Sequence, residues 1–288
     1  MQYLISTVLV QFRSVAQPGS ASGLGPEGRR FESCHSDHLY MFSFLKKNKK
    51  ILNNELKILS GYNFRYRKVG QKSEENIIKY ANFFNFDYEI NKTNKFERHF
   101  FWLKIKMLID NLENASHKFY LWLDADTFFC RYENILNYID KTKHIYVNRH
   151  LCNSKHKTNY TNVHYVTVGV NTGVLLVRNT KWSLNFLKSV WNKKKYLNHY
   201  WGDNAAFMDV MGYKAELSYL ENNRSSKKIL NKFQFLSGLW NSMPRNDYEK
   251  PKDNLISYYY FNPIIIHLAG IRKRERLKFL KNHKHLLI

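Results

Sequence analysis

Apolar residues recur along this chain at two periods. Short apolar runs, some alternating with polar residues, mark strands over residues 56–64, 86–90, 118–126, 144–149, 168–180 and 262–270. Apolar positions spaced by three and four mark helices over 73–86, 97–115, 132–140, 181–197 and 203–212. Ser73 carries an N-cap signature for the first helix, and Gly212 is a stop for the last. Strands alternating with helices predict an α/β fold, a mixed sheet with helices on both faces.

The pattern fails only near the N-terminus. Residues 13–38 read RSVAQPGSASGLGPEGRRFESCHSDH, rich in Gly, Ser, Pro and Arg, with no Lys and no periodicity. This stretch resembles a translated tRNA gene. Residues 1–40 are therefore expected to be a spurious or disordered extension, and 41–288 a single domain that starts at Met41.

Hydrophobic residues make up 44% of the 288, a globular composition that excludes a disordered chain. The formal net charge is +23. Lys is dispersed, and it accompanies abundant Asn, Ile, Tyr and Phe as A+T-rich coding produces. A nucleic-acid partner would need the charge gathered on one face with aromatics interleaved, so none is expected. The basic surface would let a soluble protein visit an anionic membrane. Cys34, Cys130 and Cys152 show neither metal-ligand spacing nor a disulfide framework, so a reducing compartment is expected. No stretch approaches the ~20 apolar residues of a membrane span. The expected location is the cytoplasm, peripheral to the inner membrane.

Against this background residues 121–129, LWLDADTFF, stand out: two aspartates one residue apart among large apolar side chains. On a strand, i and i+2 share a face, so Asp124 and Asp126 would meet at the strand's C-terminal end. That is where ligands bind in open α/β sheets. Carboxylates so placed repel unless a cation intervenes, and Mn²⁺ or Mg²⁺ suits oxygen donors. His267 ends another apolar run, PIIIHLAG, and a set of two carboxylates and one imidazole favours Mn²⁺. Gly270 permits close approach of backbone to phosphate, and Arg272, Lys273 and Arg274 offer charge to a diphosphate.

Several motifs together resemble the retaining glycosyltransferases that include yeast α-mannosyl- and α-galactosyltransferases and plant xyloglucan α-xylosyltransferases. They are FWLKIKML (101–108), LWLDADTFF (121–129), NTGVLLVRNTKWSLNFL (171–187), GDNAAFM (202–208) and IIIHLAG (264–270), in the family's order. The resemblance implies a GT-A fold with a metal at Asp124, Asp126 and His267. It implies that Lys104 and Arg272 meet the donor's nucleotide or phosphates, and that Asn171 and Thr172 line the donor-sugar side. Asp203 and Asn204 match an acidic-amide pair at the reacting face. The plant pattern has an acid before that pair, where this chain has Gly202.

The expected function is metal-dependent, retaining transfer of a hexose or pentose from a UDP- or GDP-sugar to a glycan or lipid-linked acceptor, such as a bacterial cell-surface polysaccharide. A phosphatase of the haloacid-dehalogenase type is the alternative, since DADT fits its first motif. That motif normally opens the domain, whereas here two predicted strands and two helices precede it. Trp182, Trp191 and Trp201 are read as core or wall rather than sugar platforms.

Overall fold

Strand β3 (Phe119–Asp124) explains the architecture. Phe119, Leu121 and Leu123 join one apolar cluster, and Tyr120 and Trp122 join another. A strand buried on both faces needs cover on both, and helices supply much of it. A computed structural model describes residues 53–154, 165–212, 227–244 and 254–288. The expected N-terminal extension lies outside them.

Among the described residues the main sheet has the order β2-β1-β3-β6-β5-β7, with β8 also paired to β5. These strands are β1 (Asn53–Gly61), β2 (Phe86–Asn91), β5 (Ile145–Ser154), β6 (Tyr165–Arg178), β7 (Phe233–Phe235) and β8 (Ile256–Ser257). β1 runs parallel to β2 and β3, while β6 is antiparallel to β3 and β5, so the sheet is mixed as expected. Helix α1 (Arg67–Phe84) packs on one face. Helices α2 (Leu103–Asn114), α3 (Lys181–Trp191) and α4 (Gly202–Met211) pack on the other. Trp182 and Trp191 lie against this second cluster, as does Trp201 before α4, which makes all three wall.

The structure corrects several expected boundaries. Helix α1 begins at Arg67, well before Ser73. Ser73 is buried inside it and donates its hydroxyl to the Thr127 carbonyl at 2.9 Å, so a tertiary hydrogen bond produced the apparent cap. The helix expected over 132–140 is only a 3-10 turn, Ile135–Asn137, which buries the single residue Ile135. Helix α3 stops at Trp191, followed by a 3-10 turn at Lys194–Tyr196. A short α5 (Lys227–Leu230) and a C-terminal α6 (Lys273–Asn282) were not anticipated.

The most consequential difference concerns the last strand. β9 (Ile265–His267) does not enter the main sheet; it pairs antiparallel with β4 (Thr127–Phe129). The facing pair Thr127 and His267 lies just beyond the end of β3. Ser242 runs beside β9, donating to the Ile265 carbonyl and accepting from the His267 amide, both at 2.8 Å. Together these place an imidazole and a 3-10 turn (Gly238–Asn241) next to the aspartates.

Candidate active site

Asp124 is the last residue of β3, paired in register with Gly61 at the end of β1. Asp126 is not on the strand. It lies in the two-residue turn to β4, so the expected strand alternation is not what brings the carboxylates together. The turn is held by the Thr127 hydroxyl donating to the Asp124 carbonyl at 2.8 Å, and by the Leu268 amide donating to the Asp126 carbonyl at 2.9 Å.

Each aspartate commits one oxygen to a resident cation. Asp124 Oδ1 accepts from Trp122 Nε1 at 2.7 Å and lies 3.2 Å from Lys104 Nζ. Asp126 Oδ2 lies 3.2 Å from Arg276 Nη1. The other oxygens, Asp124 Oδ2 and Asp126 Oδ1, face His267 Nε2 at 3.8 and 3.4 Å. Ligand atoms from these three residues all lie within 4.8 Å of one another. Two hard oxygens and one imidazole nitrogen converging so closely fit a divalent first-row cation, whose octahedral edges measure about 3 Å for bonds of ~2.1 Å.

Burial tunes these groups. Loss of hydration pushes the Asp126 carboxyl up, but the adjoining His267 ring and the Arg276 guanidinium outweigh this and hold it below the ordinary value. His267 is 2% exposed. Its ring rests on Gly173, where an added Cβ would come within 2.1 Å of Cε1. Any larger residue there displaces the imidazole.

Lys104, from the first turn of α2, is buried rather than solvated. Its amine donates to the Thr172 carbonyl and hydroxyl at 3.2 and 3.1 Å, and sits 3.1 Å from Asp203 Oδ2. Burial works against its charge, and the carboxylates of Asp124 and Asp203 overcome this to hold the amine above its ordinary value. Asp203, in the first turn of α4, shares that one cation with Asp124. Its burial therefore prevails over the pull of Lys104, the charge of Asp124 adds to the push, and its carboxyl rises to about 6.

Asn204 uses both ends of its amide on β6. Oδ1 accepts from the Thr172 amide and hydroxyl at 3.0 and 2.9 Å, and Nδ2 donates to the Val170 carbonyl at 3.0 Å. It fastens α4 to β6, leaving Asp203 as the member of the pair that faces the cluster. Gly202 opens α4 at a φ of +40°, and a Cβ on it would lie 1.6 Å from the Phe101 ring. Asn171 accepts from the Gly173 amide at 2.9 Å.

The expected residues thus divide. Asp124, Asp126, His267, Lys104, Thr172 and Asp203 come together, with Asn171 and Asn204 bracing them. Arg272 caps α6 from an exposed position, with Gly270 exposed just before it at a φ of +70°. Neither makes a described contact with the cluster. Sequence reasoning missed Arg276, hidden among the Lys-rich positions of α6, and Asn241, which no apolar pattern marks. A spacing of four between Arg276 and Leu280, the two buried residues of α6, was the available signal.

Comparison with known proteins decides the family. The model of the galactosyl transferase GMA12/MNN10 family matches residues 53–276. The chain belongs to this family. As a GMA12/MNN10-family member it is a glycosyltransferase with the GT-A fold, and the phosphatase alternative falls. A search of curated proteins gave no significant match. Among solved structures, a glycosyltransferase involved in glycosylation of the major capsid of PBCV-1 is 17% identical, with 79% of this chain and 99% of that one covered and a TM-score of 0.54. The galactosyltransferase LgtC, solved with donor and acceptor sugar analogues, is 12% identical over 80% of this chain and 95% of that one, with a TM-score of 0.43. Mouse xyloside xylosyltransferase 1 is 10% identical over 75% and 98%, with a TM-score of 0.37. In this family member the described residues include no helix long and apolar enough to cross a membrane.

Proposed function

We propose that this GT-A glycosyltransferase transfers a sugar, with retention of configuration, from a nucleoside diphosphate donor to a glycan or lipid-linked acceptor, and depends on a divalent cation. The observation that carries the reading is the convergence of Asp124 Oδ2, Asp126 Oδ1 and His267 Nε2, each carboxylate having its other oxygen held by a resident cation. Mn²⁺ or Mg²⁺ held there supplies charge stabilisation to the departing diphosphate.

The chain's own residues do the rest. Lys104 keeps Asp124 and Asp203 at fixed positions on either side of its amine. Above pH 6 Asp203 is a carboxylate, and it stabilises positive charge developing at the anomeric carbon. The acceptor hydroxyl forms its bond to that carbon on the face from which the sugar–phosphate bond breaks. The hydroxyl's proton leaves with the diphosphate oxygen. Arg272 and Gly270, exposed at the start of α6, offer charge and open backbone to the donor's phosphates.

The test is release of nucleoside diphosphate from a panel of UDP- and GDP-sugars, with Mn²⁺, with Mg²⁺ and with chelator. Release with at least one donor, falling at least about 100-fold on chelation, is expected. Equal release in chelator overturns the cation dependence, and an inverted product anomer overturns retention.

A further inference from the structure

A backbone amide has no choice of direction, and through two side chains one such amide fixes which nitrogen of a neutral His267 carries the hydrogen. The Gly173 N–H donates to the side chain of Asn171 at 2.9 Å, so the atom it meets is the amide oxygen. The same oxygen lies 3.1 Å from the side-chain amide of Asn241, which must present its NH₂ group there. The oxygen of Asn241 therefore faces His267 Nδ1, at 2.8 Å. An oxygen only accepts, so Nδ1 carries the ring hydrogen. A neutral imidazole has only one, which leaves Nε2 with a bare lone pair aimed at Asp124 Oδ2 and Asp126 Oδ1.

Flipping either amide fails. If Asn241 turned over, its oxygen would face the oxygen of Asn171. If both turned over, an NH₂ group would face the Gly173 N–H. Asn241 is fully buried, so water does not relieve either clash. We propose that Asn241 is a positioning residue, locked by Asn171 and the Gly173 amide, that holds His267 in the tautomer able to bind a cation through Nε2. The proposal rests on reading Asp124, Asp126 and His267 as a cation site. A ligating imidazole needs its second nitrogen engaged to fix ring and tautomer, and losing such a partner typically weakens metal affinity 10–100-fold.

Two measurements on the full chain separate this proposal from the cation reading. The first is the ¹⁵N shifts of the His267 ring in metal-free protein, at a pH where the ring carries one proton. Hydrogen on Nδ1 is expected, and hydrogen on Nε2 overturns the proposal whether or not a metal binds. The second is Mn²⁺ titration followed by electron paramagnetic resonance. Wild type that takes up no Mn²⁺ defeats the cation reading, while the ring shifts still judge the tautomer. Asn241→Leu removes the acceptor and is expected to weaken Mn²⁺ binding about 10–100-fold. Asn241→Asp, its buried carboxyl kept protonated by loss of hydration, offers a carbonyl oxygen to Nδ1 and an O–H to the Asn171 oxygen, and is expected to bind within about threefold of wild type. Unchanged affinity in Asn241→Leu, or equal losses in both variants, overturns the proposal. If a variant fails to fold, the wild-type ring shifts decide.

Discussion

At the end of β3 reached by Asp124, five ionisable side chains share a buried network: Asp126, His267, Lys104, Asp203 and Arg276 are each less than 9% exposed. At the other end, next to Phe119, the same residue types line a cavity of about 430 Å³ with Glu55, His117, Lys118 and Arg178 among its walls. There Lys118 pairs with Glu55 at 2.5 Å, with side chains 68% and 37% exposed, and His117 pairs with Asp87 at 3.1 Å. The cavity is roomy and, apart from buried His117, its charged side chains are cheap to hold because water remains close to them. Around Asp124 the charges have surrendered their hydration and hold only because each has a geometric partner. Depth of burial, more than the size of a cleft, separates the chemical end of the sheet from the inert one.

Four experiments probe that contrast, from the largest expected effect to the smallest. Asp126→Ala strands Arg276 in a buried position, and loss of about 3–5 kcal/mol is expected by denaturant titration, together with loss of sugar transfer. A stability change below about 1 kcal/mol would show that the pair is not truly dehydrated. Lys104→Met leaves Asp124 and Asp203 without their shared cation and is expected to cost about 3 kcal/mol at pH 8. The cost should shrink at pH 5, where Asp203 is already protonated.

The third follows from the same carboxyl. Folding raises the Asp203 value from 3.8 to about 6, so the folded chain holds this proton more tightly than the unfolded chain. Its contribution to stability is complete below about pH 4 and is lost as pH rises through 6. Wild type should lose on the order of 2–3 kcal/mol relative to Asp203→Asn across that window. A flat difference between the two melting curves would contradict the assignment. At the opposite end Lys118→Ala should change stability by less than about 0.5 kcal/mol and leave transfer untouched. A loss of transfer there would erase the distinction between the two ends.

Much of the fold was legible in the sequence because the strands are short apolar runs bounded by turns. β1, β3, β6 and α4 sit close to where the pattern placed them, while α2 starts six residues late, at Leu103. The failures have local causes. Ser73 looked like a cap because its hydroxyl serves a distant carbonyl. Residues 262–270 read as a strand of the main sheet, but only Ile265–His267 is extended, and its partner is β4. Spacing along the chain reports burial, not which neighbour supplies it. Of the site, Asp124, Asp126 and His267 were recognisable by residue type, although the turn that joins the aspartates was not. The burial of Lys104 followed from nothing in its helix pattern. Arg276 acts on a partner 150 residues away and Asn241 on partners 70 and 26 residues away, pairings that only the folded backbone reveals.

The left-handed residue that opens α4 has an evolutionary corollary. Gly202 is pressed against the ring of Phe101, where an added Cβ would lie 1.6 Å away. An acid at this position would demand a strained backbone and a trimmed aromatic at the same time. The two positions should therefore change in concert across a lineage, and a library that varies Gly202 alone will yield few folded members.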